Sequence, residues 1–194
     1  MTGAGASPAF SDVARERLAR PMFDRRQKIN LACALICAGM FGYAIYAEKV
    51  LGYVPCPLCM FQRVCIAALG IVFLVAALHR VRYGGAIVYG ALIFIVAGAG
   101  AWVAGRHVWI QAQPPGTVPA CGAPLDSLLQ MFPLLEVVRK VMTGGGECGT
   151  IDWTMLGLSM PMWVLIGAVT LGLIGIANNA FMPVRSAGGL RLRS

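Results

Sequence analysis

The chain has 194 residues, 58% of them hydrophobic and 12% charged, with a mean hydropathy of +0.73. A soluble domain carries about a quarter charged residues, so this composition excludes an ordinary soluble protein and points to a membrane one. The net charge of +8 does not mark a nucleic-acid surface, because the basic residues gather in the two tails and one short loop.

Residues 1–28 open with small and polar side chains, turn basic and include Pro8 and Pro21. They read as a mostly disordered cytoplasmic tail with a short surface helix over 13–20. Four apolar runs follow, at 29–47, 60–78, 86–104 and 160–180, each near the roughly 20 residues that cross a hydrocarbon core. The first competes with a cleavable signal peptide. Its apolar stretch is too long for that, and no small-x-small pair precedes Glu48, so it is expected to be an uncleaved span. Residues 48–59 form a short connection in which Val54-Pro55 favours extended backbone, and 80–85 form a tight turn.

The long loop, 105–159, starts with the turn residues Gln113-Pro114-Pro115-Gly116 and presents Cys121. Leu125, Leu128, Leu129, Phe132, Leu135, Val138 and Met142 then recur at helical spacing, interrupted at Pro133. This predicts a short amphipathic helix lying in the membrane interface, with packing against the bundle as the alternative. Gly144-Gly145-Gly146 makes a flexible tether for Cys148. Trp153 and Trp163 suit an aromatic belt, and Pro161 suits a first helical turn. Residues 181–194 are a second basic tail. The expected fold is therefore an all-α membrane protein, a four-transmembrane-helix bundle over 29–180 with a short interfacial helix in its second outward loop.

Eleven of the sixteen Lys and Arg residues fall in the tails and the 80–85 turn. The positive-inside rule places that side in the cytoplasm, so the loops at 48–59 and 105–159 face outward. Four of the seven cysteines, Cys56, Cys59, Cys121 and Cys148, lie in those outward loops, where disulfides persist. Cys33, Cys37 and Cys65 lie within spans and read as small buried apolar residues.

The Cys56-x-x-Cys59 pair stands at a helix start, where free N–H groups and the helix dipole favour an anion and hence a reactive thiolate. Arg63 lies one turn beyond Cys59 on the same face. A charge at the edge of a span needs compensation, from a thiolate, an anionic ligand or lipid headgroups. Haem attachment would need His after the second cysteine, where Met60 stands. A zinc site recruiting Cys121 and Cys148, a structural disulfide pair and a redox pair remain as readings. A tight, helix-anchored pair beside a long-range flexible one suits exchange between pairs, and favours the last. No nucleotide fingerprint is present, so a membrane-dissolved acceptor is expected, with Arg63 and His107 at the right depth to bind its polar head.

These residues resemble the DsbB family of bacterial inner-membrane quinone-linked thiol oxidases. The resemblance spans about 29–180. It rests on Pro55-Cys56-x-x-Cys59-x-x-Gln62-Arg63, on His107-x-x-x-Gln111, on the Cys121 and Cys148 pair, and on Gly146-Glu147-Cys148 leading to Asp152-Trp153-x-x-Leu156-Gly157-Leu158-x-Met160-Pro161-x-Trp163. It implies a catalytic set of Cys56, Cys59, Cys121 and Cys148, with Arg63 and His107 binding ubiquinone or menaquinone and no metal. It also implies a location in the inner membrane, with the redox loops in the periplasm and a DsbA-like thioredoxin-fold partner. Electrons would pass from that partner to Cys121/Cys148, then to Cys56/Cys59, then to the quinone pool. Vitamin K epoxide reductase-like enzymes share the chemistry but place the mobile pair before the Cys-x-x-Cys, the reverse of the order here. A membrane metal-binding or transport protein using the four outward cysteines is the alternative from another class. The long basic N-terminal tail departs from the family's usual short one.

Overall fold

A computed structural model describes residues 24–79, 83–114, 125–143, 148–151 and 153–181. Four long helices form an antiparallel bundle: α1 (Arg25–Lys49), α2 (Pro57–Leu78), α3 (Tyr83–Gln111) and α6 (Met160–Ile176). All four contain stretches long and apolar enough to cross a membrane. Two shorter helices, α4 (Leu125–Met131) and α5 (Leu134–Thr143), lie in the long loop. The tails and Cys121 lie outside the described residues, as do the triple glycine and the expected surface helix over 13–20.

The helix boundaries follow local chemistry. Asp24 caps α1 through a capping box with Gln27, satisfying two of the donors that a helix start leaves free. Cys56 is the N-cap of α2, with Pro57 in the first turn, where a missing N–H costs nothing. The third helix continues to Gln111, seven residues past the expected end at 104. Arg106 and His107 carry no backbone signal that stops a helix, and the first one downstream is Pro114. Pro133 does separate α4 from α5, as expected.

Small residues set how closely the helices approach. A Cβ on Gly175 would stand 2.7 Å from the Phe73 ring, and one on Gly172 would stand 2.9 Å from Ala97 Cβ. Such stripes let backbones approach in a medium that supplies no hydrophobic drive between helices. Cys33 and Cys37 are buried beside Ile66, Leu69, Phe73, Ile93 and Leu171, in keeping with their reading as small apolar core residues. Leu35, Phe94, Ile95, Trp102 and Leu173 point outward, the pattern of helices apolar on all sides.

The two ends of the bundle differ. At one end, α6 runs into a π-helical turn, Ala177–Phe181, that buries Asn178 and Asn179 against Asn30 of α1. Asn30 Oδ1 accepts from Asn178 Nδ2 (3.0 Å) and Asn179 Nδ2 (2.9 Å), and Asn30 Nδ2 donates to Asn179 Oδ1 (3.1 Å). At the other end α5 lies on the bundle. Val137 and Val141 are buried against Leu58, Val103 and Ile110, while Leu134 and Leu135 are exposed. Arg106 Nε donates to the Met142 carbonyl at 2.9 Å, tying the last turn of α5 to α3.

A two-stranded antiparallel hairpin precedes α6, with β1 (Thr154–Met155) paired to β2 (Leu158–Ser159). It adds an element that the sequence reading did not contain. Its turn residues, Leu156 and Gly157, have φ of 55° and 78°, the left-handed pair of a type I′ turn. Ser159 Oγ donates to Gln111 Oε1 at 2.7 Å, which anchors the hairpin to the end of α3.

Candidate functional site

Four elements converge at the end of the bundle that carries α5. Cys56 and Cys59 are separated by the first turn of α2, and Cys56 donates to Cys59 across 3.2 Å between sulfurs. A disulfide needs about 2.05 Å, so only a small shift separates the two sulfurs from bonding distance. His107, on the extended part of α3, is 2% exposed. Its Nε2 is 3.7 Å from Cys56 Sγ and 3.1 Å from the Cys148 carbonyl, and its Nδ1 is 3.0 Å from the Gln62 amide nitrogen. Cys148 is buried in the same cluster, and the ligating atoms of Cys56, His107 and Cys148 all lie within 4.8 Å of one another.

The electrostatics of Cys56 depart from the expectation for a helix start. Hydrogen bonding to the Cys148 sulfur, then to that of Cys59, together with burial, raises its thiol well above the usual range. The neighbouring sulfurs outweigh the helix N-terminus, so Cys56 is held as a neutral donor.

Arg63 is paired within the protein. One guanidinium nitrogen pairs with Glu48, and the other donates to the Ala44 carbonyl at 2.9 Å. Its side chain is only 13% exposed, so its charge has a partner inside the protein without lipid headgroups. The compensating anion is Glu48, at the end of α1, which the sequence reading passed over. Lys49 holds the second carboxylate oxygen at 2.9 Å.

Cys56, Cys59, Arg63, His107 and Gln111 all line one partly open cavity of about 110 Å³, whose walls also include the apolar residues Met40, Phe41, Ile66 and Val164. A single water needs about 10–15 Å³ on that measure, so the space takes a group many atoms larger. Trp153, expected to be architectural, also lines it and packs on Tyr43 with ring centroids 5.8 Å apart. Of the six expected site residues, Cys56, Cys59, Arg63 and His107 line this cavity, and Cys148 lies behind it in the cluster with Cys56 and His107. The sixth, Cys121, lies outside the described residues. Glu48 and Gln62 are the additions. Gln62 carried a signal, being a polar residue one turn into an apolar span, whereas Glu48 looked like an ordinary loop-edge charge.

Comparison with known proteins gives a consistent result. The family model described as "Disulfide bond formation protein DsbB" matches residues 25–178. A "Disulfide bond formation protein B" of Xanthomonas oryzae pv. oryzae (strain MAFF 311018) is 51% identical over 140 residues, covering 72% of this chain and 81% of that protein. One of the same description from Xylella fastidiosa (strain 9a5c) is 47% identical over 147 residues, covering 73% and 83%.

Proposed function

Because the chain belongs to the DsbB family of disulfide bond formation proteins, which makes it a disulfide-forming oxidoreductase, we propose that it reoxidises a periplasmic DsbA-type dithiol protein at the expense of a membrane quinone. The observation that carries this reading is the placement of Cys56. It touches the long-loop cysteine Cys148 on one side and Cys59 on the other, at the wall of the Arg63 cavity.

In this reading the partner's thiolate attacks the Cys121–Cys148 disulfide at Cys121. The partner leaves as a disulfide, and Cys121 and Cys148 become thiols. Exchange with the Cys56–Cys59 disulfide through Cys56 then restores the loop pair and leaves Cys56 and Cys59 reduced. Each exchange oxidises one dithiol and reduces one disulfide, moving two electrons and two protons. DsbA is a strong oxidant at about −120 mV, so the final acceptor must lie higher still.

The residues present fit a quinone. The cavity has apolar walls for a ring and tail, and Arg63 and Gln111 supply donors for a carbonyl oxygen. When bound, the quinone supplies a sink for two electrons and two protons. Arg63 fixes the position of the head, His107 holds the Cys56 side of the dithiol in place, and the α5 lid excludes water from Cys148. The charge distribution of the sequence supports placing the cysteine-bearing end at the periplasmic face of the inner membrane.

The test is quinone reduction by purified protein with a reduced thioredoxin-fold partner, followed optically. The expected result is turnover that needs both substrates. Cys121→Ser should abolish oxidation of the partner while the Cys56/Cys59 pair still reacts with quinone. Unimpaired partner oxidation in that variant would defeat the assignment.

A further inference from the structure

Cys56 Sγ, Cys148 Sγ and a ring nitrogen of His107 form a buried Cys₂His group, the one cluster of three metal-ligating side chains among the described residues. Zn–S bonds near 2.3 Å and Zn–N bonds near 2.05 Å in a tetrahedron put sulfur about 3.8 Å from sulfur and about 3.6 Å from nitrogen. The observed Cys56 Sγ to His107 Nε2 distance is 3.7 Å. We propose that, once fully reduced, this site captures one thiophilic divalent cation of the zinc type through Cys56, Cys148 and His107, and that capture blocks thiol exchange until the cation is withdrawn. The block rests on the function proposed above, whereas the binding does not.

The donor set and its surroundings favour such an ion. Two thiolates and an imidazole are soft to borderline donors, the choice for zinc over magnesium or calcium. Binding releases one proton from each thiol and oxidises nothing. The resulting unit of two thiolates and a dication is neutral, which suits burial against Leu58, Val103 and Ile110. Three protein ligands leave the fourth position to water. Arg63 does not compete, because Glu48 holds its guanidinium.

Gln62 decides whether His107 can ligate. As placed, its amide N–H₂ faces Nδ1, and Nε2–H donates to the Cys148 carbonyl. Oxygen and nitrogen of an amide exchange places on a simple flip. With the Gln62 oxygen toward the ring, Nδ1 carries the proton and Nε2 presents its lone pair. Ligating histidines are generally held through their other nitrogen in this way. Redox state gates the site as well. In a Cys56–Cys59 disulfide the Cys56 sulfur has no thiolate to offer, so only the reduced enzyme is open to capture.

The test uses the full chain in detergent, reduced with a thiol-free reductant and titrated with Co²⁺ as an optical probe. One equivalent should produce sulfur-to-cobalt charge-transfer absorption and tetrahedral d–d bands, and Zn²⁺ should displace it. Zinc should also protect two thiols, Cys56 and Cys148, from alkylation, counted by mass spectrometry. His107→Ala should weaken binding at least tenfold, and Gln62→Leu by about 10- to 100-fold. Cys148→His, which keeps a ligand, should retain cobalt with a weaker charge-transfer band; this separates lost ligation from lost folding. Added zinc should slow oxidation of the partner protein, and a chelator should restore it.

Absence of the charge-transfer band, binding indifferent to His107→Ala, equal binding by the disulfide form, or zinc binding without slowed exchange would each overturn the proposal. The cobalt and alkylation readouts need neither quinone nor partner. Their failure would leave the oxidase reading standing, and a failed turnover assay would leave the site standing.

Discussion

Arg63 shows how a charge is accommodated at the edge of a span. An arginine at the centre of a membrane helix costs about 2.5–3.5 kcal/mol on insertion scales. Here the cost is offset by Glu48 and the Ala44 carbonyl, which hold the guanidinium at the rim of the cavity. Arg63→Ala should therefore weaken quinone use more than use of the dithiol partner, with the loss in kcat/KM for quinone. Glu48→Gln removes the negative charge beside Arg63 but keeps an acceptor oxygen, so it should raise the quinone KM by less than Arg63→Ala does, with partner KM unchanged. Steady-state kinetics varying each substrate in turn checks both variants, and an unaltered quinone KM and kcat in Arg63→Ala would remove it from the binding site. The sequence showed that Arg63 needed an anion but not which one. Spacing rules identify neighbours on one helix, and Glu48 arrives from the end of another.

At the scale of the element, the long helices were legible because apolar runs of span length have few alternatives, and the break at Pro133 because proline has no N–H to give. The hairpin before α6 was not. Its second turn residue, Gly157, is the usual signal, but the first is Leu156, where Asn or Asp would mark a type I′ turn. Leu156 has φ of 55° and is 85% exposed, so its side chain gains no burial here to offset the left-handed backbone. That conformation costs an L-residue about 1–2 kcal/mol. Leu156→Asn should stabilise the hairpin by about 1 kcal/mol, seen as slower limited proteolysis between Trp153 and Met160. Equal or faster cleavage would show that the leucine is held by contacts the free chain does not reveal. The amphipathic helix was legible in its spacing but only partly in its inner face. Leu128, Phe132 and Met142 pack against the bundle as the structural alternative expected, but Leu129 and Leu135 of the same expected face are exposed, and Val137 and Val141, which that pattern left out, are buried instead.

Across the whole molecule, chemistry and closure are kept at opposite ends. The cysteine cluster and cavity occupy one end, and the Asn30, Asn178 and Asn179 cluster joins α1 to α6 at the other. Asn30→Leu should leave amides of the π turn short of partners, at roughly 1–3 kcal/mol for each group left unsatisfied. The expected outcome is a thermal midpoint lowered by several degrees in detergent, with quinone KM unchanged. A shift in KM would mean the two ends are coupled. The cluster was invisible in the sequence because its members are 148 and 149 positions apart, and a polar residue near a span end is by itself unremarkable. The convergence of His107, Gln62 and Cys148 was hidden for a similar reason, since it needs α3 to continue past its apolar stretch.

Cys56 is the N-cap of α2, and its side chain makes no capping hydrogen bond. Its sulfur is therefore attached to the helix but not engaged in holding the helix together. Rotation about a single side-chain bond can carry it between the Cys59 and Cys148 sides without unwinding a turn. Cys59, inside the first turn, has its backbone fixed by the helix. In mechanical terms the pair is a pivot beside a fixed stop, so the exchange proposed above would turn one side chain at this corner while the bundle stays still.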